Sequence, residues 1–221
     1  AKFPLEEVVK TSRFGIWISM FITWVLTGCI VVFILLMPGF VGGVLGFSPF
    51  ETTYFQMGGL VCIVSSCWLT GRLADKHNPS TLCILFSAGF AVSSVAFFSL
   101  LYTAAPVVSE VVLAYFATCF FAGIMNFCPI FMCDVFPARI RFSGISFAYN
   151  IAYALSGAFT PQLSFALHAY AKTHPDTLGA MGLSAYIVFL ALVSIGTALA
   201  MRRVYKNGGA AVSQMEFRPA P

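Results

Sequence analysis

The longest uncharged stretch of the chain, residues 14–50, reads FGIWISMFITWVLTGCIVVFILLMPGFVGGVLGFSPF. A helix needs only about 20 apolar residues, each rising about 1.5 Å, to cross the hydrocarbon of a bilayer. The stretch is too long for a secretory signal peptide, lacks a cleavage site of small residues, and follows a segment rich in charge. We therefore interpret it as a retained transmembrane span.

The rest of the sequence repeats this pattern. Of the 221 residues, 59% are apolar and 9% are charged, whereas soluble domains have about 45–50% and about 25%. A soluble globular domain is therefore excluded. Continuous apolar runs favour helices over a transmembrane β-barrel, whose strands alternate, so we predict an all-α membrane protein with six transmembrane helices. The five further uncharged stretches are residues 52–71, 77–109, 111–133, 142–171 and 177–201.

Three segments are expected along the chain. Residues 1–13 are the end of a cytoplasmic linker, with a short amphipathic helix from Pro4 to Lys10. Residues 14–203 form the six-helix transmembrane unit, and residues 204–221 are a disordered cytoplasmic tail. The expected helices cover about 15–37, 53–70, 80–103, 111–133, a fifth that starts after residue 144, and 178–201.

Positive charge is distributed unevenly over the connections. Of the 12 Lys and Arg residues, only Lys172 lies in the connections on one side of the predicted bundle. Because cytoplasmic loops retain positive charge, we expect both termini in the cytoplasm and a multi-pass protein of a bacterial inner membrane. The net charge of +4 then reflects topology and indicates no nucleic-acid partner.

The seven cysteines all lie within predicted spans, without Cys-x-x-Cys spacing. We interpret them as small buried apolar residues and not as disulfides or zinc ligands. An intramembrane enzyme would need Ser/His, paired Asp or His/Glu groups at depth, and the spans contain none of these. We expect no enzymatic activity, no metal site and no cofactor.

Polar residues in the predicted spans follow helical spacing. In the fifth span, which we expect Ser143 to cap and Pro161 to interrupt, they form a stripe at steps of four and three. Because polar groups are costly in hydrocarbon, they should face protein or a water-filled cavity. The stripe consists of Ser146, Asn150, Tyr153, Gly157, Thr160 and Ser164, and Tyr149 widens it.

Shorter polar stripes in the first, second and fourth spans predict that these helices line the same cavity. The alternative for any single residue is a hydrogen bond that only joins two helices, worth about 1 kcal/mol. The predicted solute contacts are Trp24, Gln56, Asn126, Tyr149, Asn150 and Tyr153.

No Asp, Glu, Lys or Arg lies within a predicted span. A proton-coupled transporter places ionisable groups at depth, so this chain alone lacks the coupling groups. His168, near the outer end of the fifth span, is expected to be an interfacial residue and not a proton relay.

Two cytoplasmic connections are rich in charge. Asp134 is at the C-terminus of a predicted helix, where the macrodipole disfavours an anion, so an arginine is expected nearby. The charges either anchor the topology or form a latch that opens as the bundle rocks. The latch candidates are Gly71, Arg72, Asp75, Asp134, Arg139 and Arg141.

Two motifs resemble a known family. Gly71-Arg72-x-Ala74-Asp75-Lys76 resembles the loop between helices eight and nine of the major facilitator superfamily. The longer run from Phe136-Pro137-Ala138-Arg139 through Ser143-Gly144 to Thr160-Pro161 is similar to the helix ten-to-eleven segment of its metabolite:proton symporter family. The segment Pro4-Leu5-Glu6-Glu7-Val8 resembles the central loop before helix seven.

The resemblance implies that the six spans are helices seven to twelve of a twelve-helix fold, a 3+3 inverted repeat that lacks its N-terminal six-helix half. It implies proton-coupled symport of a small organic acid or zwitterionic osmolyte by alternating access, with the proton site mainly in the missing half. The expected partners are this solute, protons, the lipid bilayer and the missing half. The alternative is a non-transporting scaffold, or a half-transporter subunit that acts as an oligomer.

Overall fold

The computed structural model describes residues 8–10, 12–174 and 177–206, without the side chains of residues 177–180. The regular structure in this part of the chain is entirely helical, which confirms the predicted fold class. We number six helices: α1 Arg13–Leu45, α2 Pro49–Ala74, α3 Pro79–Leu101, α4 Val108–Val135, α5 Ala138–Thr173 and α6 Thr177–Lys206.

The two predicted end segments are described only in part. Residues 1–7 of the expected linker lie outside the described residues, and residues 8–10 are helical. Residues 204–206, assigned above to the tail, continue α6 as far as Lys206. Residues 207–221 also lie outside the described residues.

Five of the six helices are long and apolar enough to cross a membrane: α1, α2, α3, α4 and the Met181–Lys206 part of α6. The remaining helix, α5, has 36 residues and therefore spans about 54 Å. Its length is more than sufficient, but it is less apolar than the other five. The polar stripe predicted above accounts for this difference.

Helix limits differ from the predictions where local capping was overlooked. α2 begins at Pro49 because Ser48 and Glu51 form a capping box: the Glu51 carboxylate accepts from the Ser48 amide at 2.8 Å. α5 begins at Ala138, so Ser143 lies inside the helix and does not cap it. α5 also continues through Pro161, so the predicted interruption is absent.

α1 continues past its predicted end, with a π-helical segment, Ile30–Leu36, before Pro38. Proline has no amide hydrogen, so Pro38 cannot donate to the carbonyl four residues earlier, that of Ile34, as in an α-helix. It also cannot donate to the carbonyl five residues earlier, that of Phe33, as in a π-helix. Neighbouring helices supply both donors. Gln56 Nε2 donates to the Ile34 carbonyl at 2.6 Å, and the Tyr115 hydroxyl donates to the Phe33 carbonyl at 3.0 Å. These bonds allow the helix to pass the proline within hydrocarbon.

α1 is central in the bundle and packs against α4, α5 and α6. α3 packs against α4 and α6, while α2 packs mainly against α4. Aromatic rings fill the interior: Phe33 contacts Phe90 edge-to-face at 5.5 Å, and Tyr115 stacks on Phe55 at 4.1 Å. α2 and α5 therefore lie on opposite sides of α1 and α4.

A row of small residues brings α5 against α1 and α6. The row takes every fourth residue of α5, and all of its members are buried. Small side chains allow helices in a membrane to approach closely. Rows at four-residue spacing are inclined to the helix axis, so the packed face winds around α5. The row consists of Gly144, Ala148, Ala152, Ser156, Thr160 and Ser164.

Candidate functional site

The predicted polar stripe of α5 crosses the packed row, so its residues have different surroundings. Asn150 is exposed and Tyr153 is 43% exposed, whereas Thr160 and Ser164 are fully buried. A straight stripe and an inclined packing row meet at one place only, here at Thr160 and Ser164. The stripe is therefore open over its first half and closed over its second, in contrast to the single cavity-facing stripe that we expected.

Two tyrosines form the centre of the open face. The rings of Tyr149 and Tyr153 stack with centroids 5.5 Å apart and planes 19° apart. Neither hydroxyl has a hydrogen-bond partner among the described residues. Tyr149 also lines a cleft of about 480 Å³ between α1, α4 and α5, together with Leu26, Met132 and Ile145. Both phenols can therefore donate to a bound molecule.

Acceptor groups lie on the same face. Asn150 Nδ2 donates to the Ser146 carbonyl at 2.7 Å, so its side-chain oxygen points away from that bond and has no partner in the described chain. The carbonyl of Gly157 lacks its helical donor because Pro161 is four residues later. A Cβ at Gly157 would meet nothing within 4 Å, so the outer surface of α5 is open at this residue. The Gly157–Pro161 spacing was visible in the sequence but was overlooked as a source of a free acceptor.

The amide nitrogens of two other predicted contacts join helices. Asn126 Nδ2 on α4 donates to the Cys67 carbonyl at 3.2 Å and to Thr70 Oγ1 at 3.3 Å, both on α2. Gln56 Nε2 on α2 donates to the Ile34 carbonyl of α1, as described above. In both cases the structure shows the alternative of a hydrogen bond that joins two helices.

Trp24 belongs to a hydrogen-bonded chain that the sequence did not reveal. Its indole Nε1 donates to the Tyr186 hydroxyl at 3.3 Å, and that hydroxyl is 2.7 Å from Thr160 Oγ1. The Trp24 ring also contacts Phe159 edge-to-face at 6.2 Å. The chain ties α1, α6 and α5 together where the open face ends. Tyr186 was overlooked because α6 showed no polar stripe around it.

His168 is held between two aromatic groups at the other end of α5. Its ring stacks on Phe40 with centroids 4.1 Å apart, and Nδ1 is 2.5 Å from the Tyr102 hydroxyl. These contacts join α5 to α1 and α3. His168 therefore packs between these helices at this end of the bundle.

In the described chain, Asp134 has a tyrosine as hydrogen-bond partner, and Arg72 and Arg141, two of the arginines expected near it, make other contacts. Its carboxylate accepts from the Tyr205 hydroxyl at 2.5 Å, which ties the end of α4 to α6. Arg72 lies over the Trp68 ring, 4.6 Å from its centroid, and Arg141 Nε donates to the Phe136 carbonyl at 3.1 Å. A phenol next to the helix terminus thus donates to the anion in place of an arginine.

The other latch candidates lie nearby. Asp75 caps the C-terminus of α2, and its exposed carboxylate has no partner in the described part of the chain. Gly71 leaves room for Asn126, whose Nδ2 would be 3.4 Å from a Cβ there. Arg139 is exposed in the first turn of α5.

Metal and disulfide chemistry find no support in the geometry. Within the described residues, no three His, Cys, Asp or Glu side chains are grouped so that they could hold a metal ion. The seven cysteines are free thiols. Cys29, Cys83, Cys119 and Cys128 are buried, Cys62 and Cys67 are half-buried and Cys133 is exposed, so the predicted burial holds for four of the seven.

Comparisons with known proteins identify the family. A family model described as Major Facilitator Superfamily matches residues 1–161, well over half of the chain. Comparison with curated proteins and with solved structures found no match. The match includes the α2–α3 connection and the open half of α5. Its extent, together with helices suited to a membrane, shows that the chain belongs to the major facilitator superfamily.

Proposed function

We propose that this chain is the C-terminal half of a secondary transporter, which carries a small organic acid or zwitterionic osmolyte together with protons by alternating access. The observation that supports this most directly is the open face of α5. Two phenol hydroxyls and the Asn150 oxygen there have no partner in the described chain. Polar groups in a membrane are costly unless they face water or protein. An N-terminal six-helix half would supply the opposite wall of this cavity.

The chemistry of this face fits a solute that carries a carboxylate. Phenol hydroxyls donate to carboxylate oxygens, and the stacked rings of Tyr149 and Tyr153 offer a π-face to a cationic group. The face includes no charged side chain between Ser146 and Thr160. We place the proton site in the N-terminal half for this reason. We assign the chain to the metabolite:proton symporters because its segment from Phe136 to Pro161 resembles that family.

The distribution of charge supports an inner-membrane location with both ends in the cytoplasm. The N-terminus of α1, the C-terminus of α2, the N-terminus of α5 and the C-terminus of α6 lie at the same end of the bundle. The basic residues of the described chain are concentrated there, whereas Lys172 lies at the opposite end. This is the pattern of the positive-inside rule.

Uptake of labelled carboxylates and betaine-type zwitterions by the full-length protein tests the site. Asn150→Ala and Tyr153→Phe each remove one hydrogen-bonding group, so we expect KM for the transported solute to rise about tenfold, equivalent to about 1.4 kcal/mol. The matched control is Leu155→Ala, because Leu155 is exposed on the opposite side of α5. Equal abundance in the membrane must accompany each comparison.

The outcomes separate the proposal from its alternative. If both variants transport with the KM of the wild type, the site assignment is wrong. If a protonophore leaves uptake unchanged, proton coupling is wrong. Reconstituted vesicles that contain only this chain should show no uptake, since half of the cavity is missing. Uptake by this chain alone would instead establish an oligomeric half-transporter.

A further inference from the structure

An apolar groove runs along the exterior of α1 and α6, away from the open face of α5. One wall consists of large rings on α1, and the other consists of small residues on α6. The groove has a volume of about 370 Å³. The groove extends over two turns of α1, a length of about 10 Å, which is a third of the hydrocarbon thickness. The walls are Phe14, Trp17 and Phe21, and Val193, Gly196 and Ala200.

Two arginines lie at one end of this groove. Arg13 is one turn before Trp17, and Arg203 is one turn after Ala200. Because α1 and α6 run in opposite directions and pack together, both guanidinium groups lie at the same end. Both are exposed, and neither has a hydrogen bond or an ion pair with a described residue.

The described chain leaves the groove uncovered. Val8, in the segment that precedes α1, is fully buried against Phe136 and Ile140. These residues lie on the α5 side of α1, whereas the groove is on the α6 side. The three ring residues of the groove remain 50%, 58% and 44% exposed, in chain order. An occupant must therefore supply both an apolar body and a charge that complements two arginines.

We propose that this groove binds one anionic phospholipid of the adjacent leaflet. An acyl chain lies between the aromatic wall and the small residues of α6, and the phosphate accepts hydrogen bonds from Arg13 and Arg203. Guanidinium groups bind phosphate oxygens in charge-assisted pairs. A zwitterionic lipid would bring its ammonium group next to the same two cations, so the groove favours lipids with a net negative headgroup.

Retention of lipid by the full-length protein in detergent, measured by native mass spectrometry, tests the headgroup site. The probes are phosphatidylglycerol and phosphatidylcholine with the same acyl chains. An arginine near an anionic surface contributes about 1 kcal/mol, so two should favour phosphatidylglycerol by about thirtyfold. Arg13→Gln combined with Arg203→Gln should bring the ratio to about one.

Arg202→Gln is the matched control. Arg202 is exposed and next to Arg203, but the turn of about 100° per residue places it nearly opposite the groove. It should keep the preference of the wild type. If the double variant keeps the preference, or if Arg202→Gln loses it equally, the headgroup site is wrong.

Gly196→Leu tests the acyl groove independently. A Cβ at Gly196 would meet nothing within 4 Å, so the leucine enters the groove without disturbing the fold. It should abolish retention of both lipids, whereas excess inorganic phosphate should displace neither. Wild-type retention by this variant, displacement by phosphate, or a several-fold rise in retention on deletion of residues 207–221 would each overturn the proposal. The last result would identify the tail as the occupant.

Discussion

The bond between Gln56 and Ile34 allows a quantitative test of how α1 tolerates Pro38. Gln56 Nε2 donates to the Ile34 carbonyl at 2.6 Å, and Pro38 provides no amide hydrogen for that carbonyl. Gln56→Met keeps the length of the side chain and removes the donor. Interhelical hydrogen bonds in membranes contribute about 0.6 kcal/mol on average and about 1.7 at most. At a donor–acceptor distance of 2.6 Å, we expect a loss of about 1–2 kcal/mol in the free energy of unfolding.

The double variant isolates the cause. Pro38→Ala gives the Ile34 carbonyl a backbone donor, so Gln56→Met should cost much less in the Pro38→Ala background. The coupling free energy between the two sites should be about 1 kcal/mol, since they share one acceptor. Titration of the purified protein with a denaturing detergent, followed by circular dichroism, measures each variant.

Ser65→Ala is the control for this cycle. Ser65 Oγ donates to the Val61 carbonyl at 2.8 Å within α2 and is exposed, so its removal should cost little in either background. Tyr115→Phe, which removes the donor to the Phe33 carbonyl, should behave like Gln56→Met. Equal costs of Gln56→Met with and without Pro38 would refute the reasoning, because the carbonyl would not then depend on the proline.

Two further predictions concern single contacts and use the same unfolding assay, and a third concerns the proposed latch. Tyr186→Phe removes the hydroxyl that links Trp24 to Thr160 and should lower the free energy of unfolding by about 1–2 kcal/mol. Combined with Thr160→Val, it should cost less than the sum of the two single variants. Full additivity would contradict the hydrogen-bonded chain. Gly123→Ala should cost about 1–3 kcal/mol because its Cβ would overlap Ser66 Oγ, whereas Gly196→Ala meets open space and should be neutral or stabilising; similar effects would refute this packing. Asp75→Asn with Arg141→Gln should shift the full-length protein away from its inward-closed state in cysteine-accessibility measurements, and an unchanged pattern would exclude the latch.

The helical fold followed from the sequence because it depends on one quantity, the length of uncharged apolar runs. All six stretches correspond to helices. Helix ends were less predictable. The start of α2 is set by a Ser48–Glu51 box that lies outside the apolar run, and α1 passes Pro38 only because α2 and α4 provide donors. A local rule for proline cannot include side chains that are 22 and 82 residues away.

The candidate site was predictable only in part, for a geometric reason. Helical spacing predicted one face with Tyr149, Asn150 and Tyr153, and the rings of Tyr149 and Tyr153 do stack on each other. It could not show that the packed row winds across that face and buries Thr160 and Ser164, because the inclination depends on how α5 crosses α1 and α6. The Tyr205–Asp134 bond likewise depends on the distance between two helix ends.

Polar residues in these spans either join neighbouring helices or lie on the open face of α5. Two prolines inside helices, Pro38 and Pro161, illustrate the difference. Gln56 and Tyr115 have acceptors created by Pro38 on a neighbouring helix, so their bonds offset a backbone defect. Pro161 likewise removes the helical donor to the carbonyl of Gly157, and no side chain of the described chain donates to that carbonyl. A buried structural proline would be expected to recruit a donor of its own, as Pro38 does. Under the function proposed above, we expect the donor to the Gly157 carbonyl to come from water, solute or a second half. Under the function proposed above, α5, the helix least suited to lipid, is the helix that we expect to line the transport pathway.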